Sequence, residues 1–148
     1  MFMSRFTAQA AYDYLTTWES MPNVGLLLAK WTLTPSTGHV FVSEVSGHEL
    51  SGGGYARLTT IPGRTRTLDV PNSRIVYDAG DVVFPSLQAT AGTPKYGIFY
   101  DSTEAADADR KIIGWITLKG QSSPSPDTPD GSSYRILWDP VGLWVLST

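Results

Sequence analysis

The sequence contains no cysteine among its 148 residues. A disulfide framework and a thiolate zinc site are therefore both excluded, and the fold has to be held together by a hydrophobic core. A chain of this length is the usual size of one domain, and it is long enough to bury such a core. We therefore predict a single domain over residues 1–148.

Positive charge is also scarce, because 11 Lys and Arg residues face 14 Asp and Glu residues and the net charge is -3. Binding to nucleic acid irrespective of sequence needs a surplus of basic residues, so no nucleic-acid partner is expected. The best apolar run, "VGLLLAKW" at 24–31, is far too short to cross a bilayer. The first residues show no signal-peptide pattern. We expect a soluble protein made in the cytoplasm, with no membrane partner.

Residues that commonly carry catalysis or bind metals are few. The chain has two histidines, His39 and His48, and neither has a recognisable partner for general acid–base catalysis. The acidic stretch "DSTEAADAD" at 101–109 lacks the spacing and the mid-loop glycine of an EF-hand calcium loop, so a solvated loop is the preferred interpretation. The sequence therefore predicts no catalytic residue, no metal and no cofactor.

Three consecutive glycines stand out in "VSGHELSGGGYARLT" at 45–59. A phosphate-binding P-loop needs Lys and Ser or Thr directly after its last glycine, whereas Tyr55 and Ala56 follow here. A nucleophile elbow needs glycine two residues before its serine, whereas Glu49 precedes Ser51. A dinucleotide-binding loop is followed by a helix, whereas the residues after Gly54 have the pattern of a strand.

The glycine run is therefore predicted to serve the backbone. The "HEL" at 48–50 is similar to the start of a zinc-protease helix, but position 52 holds glycine where that motif needs a second histidine. Glycines can adopt backbone angles that other residues resist, which would let the chain turn into a strand. Tyr55 is predicted to anchor the strand that follows.

Apolar periodicity predicts a short helix at the N-terminus, over about residues 7–20. Ala11, Tyr14, Leu15 and Trp18 recur at three- and four-residue spacing, so they form one apolar stripe suited to packing on a sheet. Thr7 is a suitable N-cap for this helix. Pro22 and Asn23 would then end it.

After the helix, the pattern changes to short strands separated by Gly and Pro. The predicted strands include "GLLLAKWTLT", "TRTLDV", "RIVYD", "YGIFYD", "IIGWITLKG", "YRILWD" and "LWVLS". In "IIGWITLKG", Ile112 is predicted to share a face with Ile116 and Leu118, and Ile113 to share the other face with Trp115. "TRTLDV" and "RIVYD" are predicted to be joined by a tight turn at Pro71 and Asn72. The last two strands are predicted to form a hairpin across "DPVG". We therefore predict an all-β fold, a jelly-roll-like sandwich or barrel with a short N-terminal α-helix.

Three sets of residues could contact a partner, and each has a purely structural interpretation as well. The four arginines Arg57, Arg64, Arg66 and Arg74 form either the solvated outer face of a sheet or a contact patch for an acidic protein. The proline-rich stretch 120–133, with Pro124, Pro126 and Pro129, is either a flexible solvated loop or an arm that orders against a partner. The five tryptophans are predicted to be core residues, the alternative being a carbohydrate platform with at least two exposed coplanar rings.

The segment "SEVSGHELSGGGYARLT" at 43–59 resembles the "NEVSG…GYTRG" segment of a family of tailed-bacteriophage virion structural proteins. Other segments match that family in chain order, namely "VGLLLAKWTLT", "IVYDAGDVVF", "KYGIFYDSTEAADADRKIIGWITLKG" and "YRILWDPVGLWVL". The resemblance covers nearly the whole chain. The motif residues are Glu44, Val45, Ser46, Gly47, Gly53, Gly54 and Tyr55. The proline-rich loop and the inserted "HELSG" depart from the family pattern.

This resemblance implies a non-enzymatic capsid decoration or cement protein that binds the major capsid protein. It further implies a homo-oligomer, specifically a trimer, on the capsid surface of the virion, with the N-terminal residues and loops as contact elements. A neck, tail or baseplate protein is the first alternative, because the same fold serves each place. A carbohydrate-binding adhesion module is the second alternative.

Overall fold

The computed structural model describes residues 4–6, 18–118, 129–136 and 144–147. In this part of the chain the regular structure consists of antiparallel strands and short 3₁₀ turns, so the predicted all-β class is confirmed. The strands are β1 Ser4–Phe6, β2 Val24–Lys30, β3 Thr65–Asp69, β4 Arg74–Asp78, β5 Val82–Phe84, β6 Pro94–Asp101, β7 Ile112–Thr117, β8 Tyr134–Ile136 and β9 Trp144–Ser147. The 3₁₀ turns are Val42–Glu44, Ser46–His48, Val70–Asn72 and Ala89–Ala91.

Most of the predicted N-terminal helix, residues 7–17, lies outside the described residues. Residues 18–20, at its predicted end, form a turn. Trp18 is almost fully buried, and its indole Nε1–H donates a hydrogen bond of 2.9 Å to the carbonyl oxygen of Asp78. The predicted packing of Trp18 into the core is therefore confirmed.

The described strands form three antiparallel sheets. The largest has the order β1-β7-β6-β2, the second has the order β3-β4-β9, and β5 pairs with β8. None of these sheets closes into a barrel within the described residues. The predicted hairpin around Pro71 and Asn72 is confirmed, because β3 pairs with β4 across the 3₁₀ turn Val70–Asn72.

The large sheet is buried on both faces. Leu26, Leu28 and Phe99 belong to one core cluster, which also includes residues of β4, β5 and β8. Leu27 and Ile98 belong to a second cluster on the opposite face, which is covered by apolar residues of the segment 33–45. Two-sided burial explains why β2 has a continuous apolar sequence and does not alternate.

A β-bulge changes the faces of β7. The pairing shifts between Phe99 and Tyr100, so Phe99 lies opposite Gly114 while Tyr100 lies opposite Ile112. As a result Ile113 packs with Ile116 in the first cluster, and Ile112 packs in the second. The predicted assignment of these two isoleucines was therefore wrong, because one extra residue in a strand reverses the alternation beyond it.

The predicted terminal hairpin is also wrong for the residues that the structure describes. Strand β8 pairs with β5, with Ile136 opposite Val82, and β9 pairs with β4, with Trp144 opposite Tyr77. Residues 134–136 and 144–147 therefore extend the pairing of β5 and β4, and these described residues do not pair with each other. The predicted "DPVG" turn lies outside the described residues.

Candidate functional site

The segment around the glycine run covers the outer edge of β2. On its inner side, β2 pairs with β6 along its length. On its outer side, Leu26 exchanges two backbone hydrogen bonds with Leu58, of 2.8 and 3.0 Å. The carbonyl oxygen of Leu28 accepts a further bond of 3.0 Å from the amide of Leu50. Segment 49–58 therefore occupies a sheet edge that would otherwise be open to pairing with another chain.

Tyr55 completes this edge with its side chain. Its hydroxyl accepts a hydrogen bond of 3.0 Å from the amide of Leu28 and donates one of 2.7 Å to Oε1 of Glu49. Its ring stacks on Phe84 at a centroid distance of 6.1 Å. Burial, followed by the negative charge of Glu49, raises the pKa of Tyr55 far above its usual value. The hydroxyl therefore remains protonated and takes the place of a backbone carbonyl in the ladder.

Replacing Tyr55 by phenylalanine is expected to destabilise the fold by about 1–3 kcal/mol, because the amide of Leu28 and a carboxylate oxygen of Glu49 each lose a partner. Urea unfolding measures the loss, and hydrogen exchange should show faster exchange at the Leu28 amide. Tyr96→Phe is the matched control, since the ring of Tyr96 packs at the margin of the second cluster. Equal stability of the two variants would contradict this role for Tyr55.

The three glycines before Tyr55 all lie in the left-handed backbone region, with φ of +68°, +52° and +76° for Gly52, Gly53 and Gly54. A Cβ on Gly53 would lie 2.6 Å from the amide nitrogen of Ala91, and a Cβ on Gly54 would collide with the carbonyl oxygen of Ser86. The run therefore permits both a left-handed turn and a close approach to residues 86–91.

No strand begins directly after Gly54, so that part of the prediction was wrong. Between residues 55 and 64 the ladder contact is the single bridge of Leu58 to Leu26. The segment follows the edge of β2 without forming a strand, because it is held there by one side-chain hydrogen bond, at Tyr55, and one backbone bridge, at Leu58. Tyr55 is hydrogen-bonded to the earlier strand β2 and its ring stacks on Phe84 of β5, so it connects two strands and does not begin one of its own.

The first half of the motif is also bound within the chain. The carboxylate of Glu44 accepts hydrogen bonds from the amides of Val40 and Phe41, at 2.7 and 2.6 Å. Both bonds lower the pKa of Glu44, and the bond from Phe41 has the larger effect. Val45 is buried in the second core cluster, and the hydroxyl of Ser46 lies 3.4 Å from the carbonyl oxygen of Ser43. An added Cβ on Gly47 would meet no atom within 4 Å.

Arg57 is held between two carboxylates beside the covered edge. Its Nε and Nη2 donate to Glu49 at 2.6 Å each, and its Nη1 and Nη2 donate to Asp107 at 2.6 and 2.8 Å. Its guanidinium also lies 5.7 Å from the ring centroid of Tyr100, as does that of Arg110. Such bidentate pairs are among the strongest hydrogen bonds in proteins. The network joins the segment 49–58 to the loop 101–110.

Acid should weaken this network. The hydrogen bond from Arg57 is the largest cause that holds the pKa of Asp107 below its usual value. Stability from such a carboxylate is present above its unfolded-state pKa of about 3.9 and is lost as the pH falls through the lower folded-state pKa. We expect the free energy of unfolding to fall between pH 5 and pH 3. Urea titrations at both pH values should show a smaller fall in Arg57→Met, and an equal fall would contradict the assignment.

The four candidate contact arginines do not form one patch. Arg57 lies in the network at β2, while Arg66 on β3 pairs with Glu19 at 3.0 Å, and Arg74 on β4 pairs with Asp69 at 2.7 Å. Arg64 donates to the carbonyl oxygens of Trp18 and Met21, and burial lowers its pKa. Each arginine is therefore engaged within the chain. The two that lie on strands match the interpretation as the outer face of a sheet.

The proline-rich loop lies mostly outside the described residues. Pro124 and Pro126 are among the residues that the structure does not describe, while Pro129 is buried. Asp130, next to it, forms an isolated bridge with Gln88. The end of this loop is therefore tied to the body of the protein, and its role in binding a partner stays a prediction.

Sequence analysis missed the acidic partners of Arg57. In the sequence, Glu49 stands out only against catalytic motifs that it does not complete, and Asp107 only as part of an acidic stretch with the pattern of a solvated loop. Arg57 and Asp107 are separated by 50 residues, so no local spacing connects them. The one local signal of the network is that two opposite charges, Glu49 and Arg57, lie on either side of a segment that is rich in glycine and carries no other charge.

The tryptophans differ in exposure. Trp18 is buried and Trp115 is partly buried at the margin of the second cluster, but Trp31 is 71% exposed. The core prediction was therefore wrong for Trp31, which lies in a turn after the end of β2, beyond the residues that pair with β6. The side chains of Trp138 and Trp144 lie outside the described residues.

Comparison of the chain with protein-family models, with curated proteins and with solved structures gives no match. Within residues 4–6, 18–118, 129–136 and 144–147, no group of three or more His, Asp or Glu side chains is arranged to hold a metal ion. In the same residues, no helix has the length and apolar character needed to cross a membrane.

Proposed function

We propose that this chain is a non-enzymatic structural component of a tailed-phage virion, and specifically a decoration or cement protein on the major capsid shell. The support is the ordered resemblance over nearly the whole chain, from "VGLLLAKWTLT" to "YRILWDPVGLWVL". The proposed architecture is a jelly-roll-like sandwich built from the three antiparallel sheets. The proposed location is the outer surface of the capsid.

The observation that carries the proposal is what the motif residues do within the chain. Glu44 holds a 3₁₀ turn, Gly53 and Gly54 allow a close backbone approach, and Tyr55 completes the edge of β2. The segment that defines the resemblance is thus a scaffold that fixes neighbouring loops. A family united by such a segment shares a framework for presenting loops, which suits a binding protein.

The proposed mechanism is additive. Each copy buries an interface on the shell through the N-terminal residues and loops, including 120–133, and many copies together stabilise the lattice. Binding only to the assembled shell stabilises it by mass action, by about 2.7 kcal/mol for each site at 100 times the dissociation constant. The proposed oligomer is a trimer, and light scattering of the purified chain measures its mass.

Immunogold labelling of intact source particles tests the proposal. Label over the whole head would support decoration, and particles that lack the protein should then lose their DNA at a lower temperature than complete particles. Label at one vertex or along the tail would replace decoration by the neck, tail or baseplate alternative. Absence of label from every particle, with the antibody shown to bind the purified chain, would overturn the virion proposal.

The exposure of Trp31 supplies one of the two exposed rings that the adhesion module, the second candidate, requires. An exposed indole can stack on a sugar ring or anchor a protein partner. If glycans bind, Trp31→Ala should reduce the affinity at least tenfold, and Val70→Ala, which removes an exposed apolar side chain from the β3–β4 turn, should not. A glycan array followed by titration of any hit measures both. Binding that is unchanged in Trp31→Ala would exclude Trp31 as the sugar platform.

A further inference from the structure

The outer edge of β3 carries an inference that does not depend on the virion proposal. In the order β3-β4-β9, strand β3 has β4 on one side and no strand among the described residues on the other. Its five residues pair with β4 in one unbroken register, so no bulge twists the edge away. Its first four residues are all exposed, and Leu68 is 64% exposed.

The edges of β2 and β3 differ in how they are covered. The outer edge of β2 is covered by backbone bonds from Leu50 and Leu58 and by the hydroxyl of Tyr55. The β3 edge has no proline and no covering segment within the described part of the chain. Exposed strand edges of this kind are templates for pairing with another strand.

The charges on β3 are compatible with a second copy of the same strand. Arg66 is held by Glu19, and Asp69 is held by Arg74 and Asn72. Pairing at the edge would therefore bury no charge that lacks a partner. The remaining residues, Thr65, Thr67 and Leu68, have side chains that suit a pleated surface.

We propose that two copies of this chain pair through β3, antiparallel and about a twofold axis at Thr67. Thr67 then lies opposite Thr67 of the second copy, which is a favourable cross-strand pair. Arg66 lies opposite Leu68 of the second copy, and its aliphatic stem covers that exposed side chain. Thr65 lies opposite Asp69 of the second copy, so no like charges stand directly opposite each other. The β3-β4-β9 sheet becomes one continuous sheet of six strands, and in a trimer of this chain the contact would join one trimer to another.

The occupant is a second copy because the strand complements itself. In the opposite direction, with parallel pairing, each Arg66 would lie near its own equivalent and the two Asp69 carboxylates would lie near each other. The antiparallel arrangement removes both repulsions. A twofold contact is also closed, since the same patch serves both copies, and it does not by itself build a fibre.

A single introduced cysteine tests this geometry, because the chain has no other cysteine. Residues directly opposite in an antiparallel pair have Cα atoms about 4.5–5.5 Å apart, which is within the range for a disulfide. Thr67→Cys should therefore form a covalent dimer under mild oxidation. Thr65→Cys is the matched control, since its two copies would lie four residues apart along the strand, about 13 Å.

Three results separate the outcomes, read on non-reducing gels at equal protein concentration. A dimer band at least tenfold stronger for Thr67→Cys than for Thr65→Cys supports the twofold pairing, whatever larger assembly also forms. Equal bands for the two variants indicate random collision and overturn it. No band in Thr67→Cys, with the thiol shown to be reactive, also overturns it and leaves the edge to a different partner.

A charge introduced at the twofold axis gives an independent test that needs neither a cysteine nor oxidation. Thr67→Lys would place two ammonium groups directly opposite each other at the twofold axis. Thr67→Lys should raise the dissociation constant of the dimer at least tenfold, which sedimentation detects as a larger share of monomer. Thr90→Lys, at an exposed position away from β3, should change that constant little. Equal sedimentation of both variants and the native chain would contradict the proposal.

Discussion

Replacing Gly54 by alanine is expected to abolish most of the folded protein. The residue has φ of +76°, a region that costs an L-residue about 1–2 kcal/mol, and the new Cβ would collide with the carbonyl oxygen of Ser86. A backbone oxygen cannot swing aside as a side chain can. The combined cost, about 4 kcal/mol or more, is a large part of the usual stability of a domain. Soluble yield and urea unfolding measure it.

The neighbouring glycines provide graded controls. Gly53→Ala should also be severe, because a Cβ would lie 2.6 Å from the amide nitrogen of Ala91. Gly52→Ala should cost about 1–2 kcal/mol, since that position has a positive φ but open space. Gly47→Ala should be close to neutral, since it has open space without a positive φ. Similar stability of all four variants would contradict the close-approach argument.

Replacing Arg57 by methionine is expected to cost about 2–3 kcal/mol of unfolding free energy. The substitution keeps much of the apolar stem but leaves the carboxylates of Glu49 and Asp107 without their main partner. The Arg57 side chain is 19% exposed, so water compensates only in part. Urea unfolding at pH 7 measures the loss, and hydrogen exchange should increase in the loop 101–110.

Arg135→Met is the control, because it removes the same positive charge from an arginine that lies outside the Glu49–Arg57–Asp107 network. Arg135 lies 3.6 Å from Asp81 and is 63% exposed, so its loss should cost less than about 0.5 kcal/mol. Adding Glu49→Gln to Arg57→Met should recover part of the loss, because one unpaired charge is removed. The network would have no stabilising role if Arg57→Met cost no more than Arg135→Met.

Local patterns predicted most strands well, because the apolar residues that favour a strand lie within it and the turn residues that end it lie next to it. The run "VGLLLAK" became β2, and Pro71 and Asn72 became the turn of the β3–β4 hairpin. The glycine run could also be assigned to the backbone, since each catalytic template requires residues that are missing. Failed motifs thus gave as much information about the site as the matched ones.

What the sequence could not give were the features set by distant pairing. The bulge that exchanges the faces predicted for Ile112 and Ile113 arises where β6 and β7 pair, and its one local signal is Gly114, since a glycine inside a strand often marks a bulge. The partners of β8 and β9 are strands far earlier in the chain, whereas a local turn signal favoured pairing them with each other. Arg57 and Asp107 likewise meet only once two loops have been placed.

The covered edge of β2 has a consequence for synthesis on the ribosome. At roughly 5–20 residues per second, β2 emerges several seconds before β6, its main partner, has been made. Tyr55, however, follows Leu28 by only 27 residues. The segment that later covers the edge of β2 is thus made well before β6, and it offers β2 a partner for its backbone while the rest of the chain is still being translated.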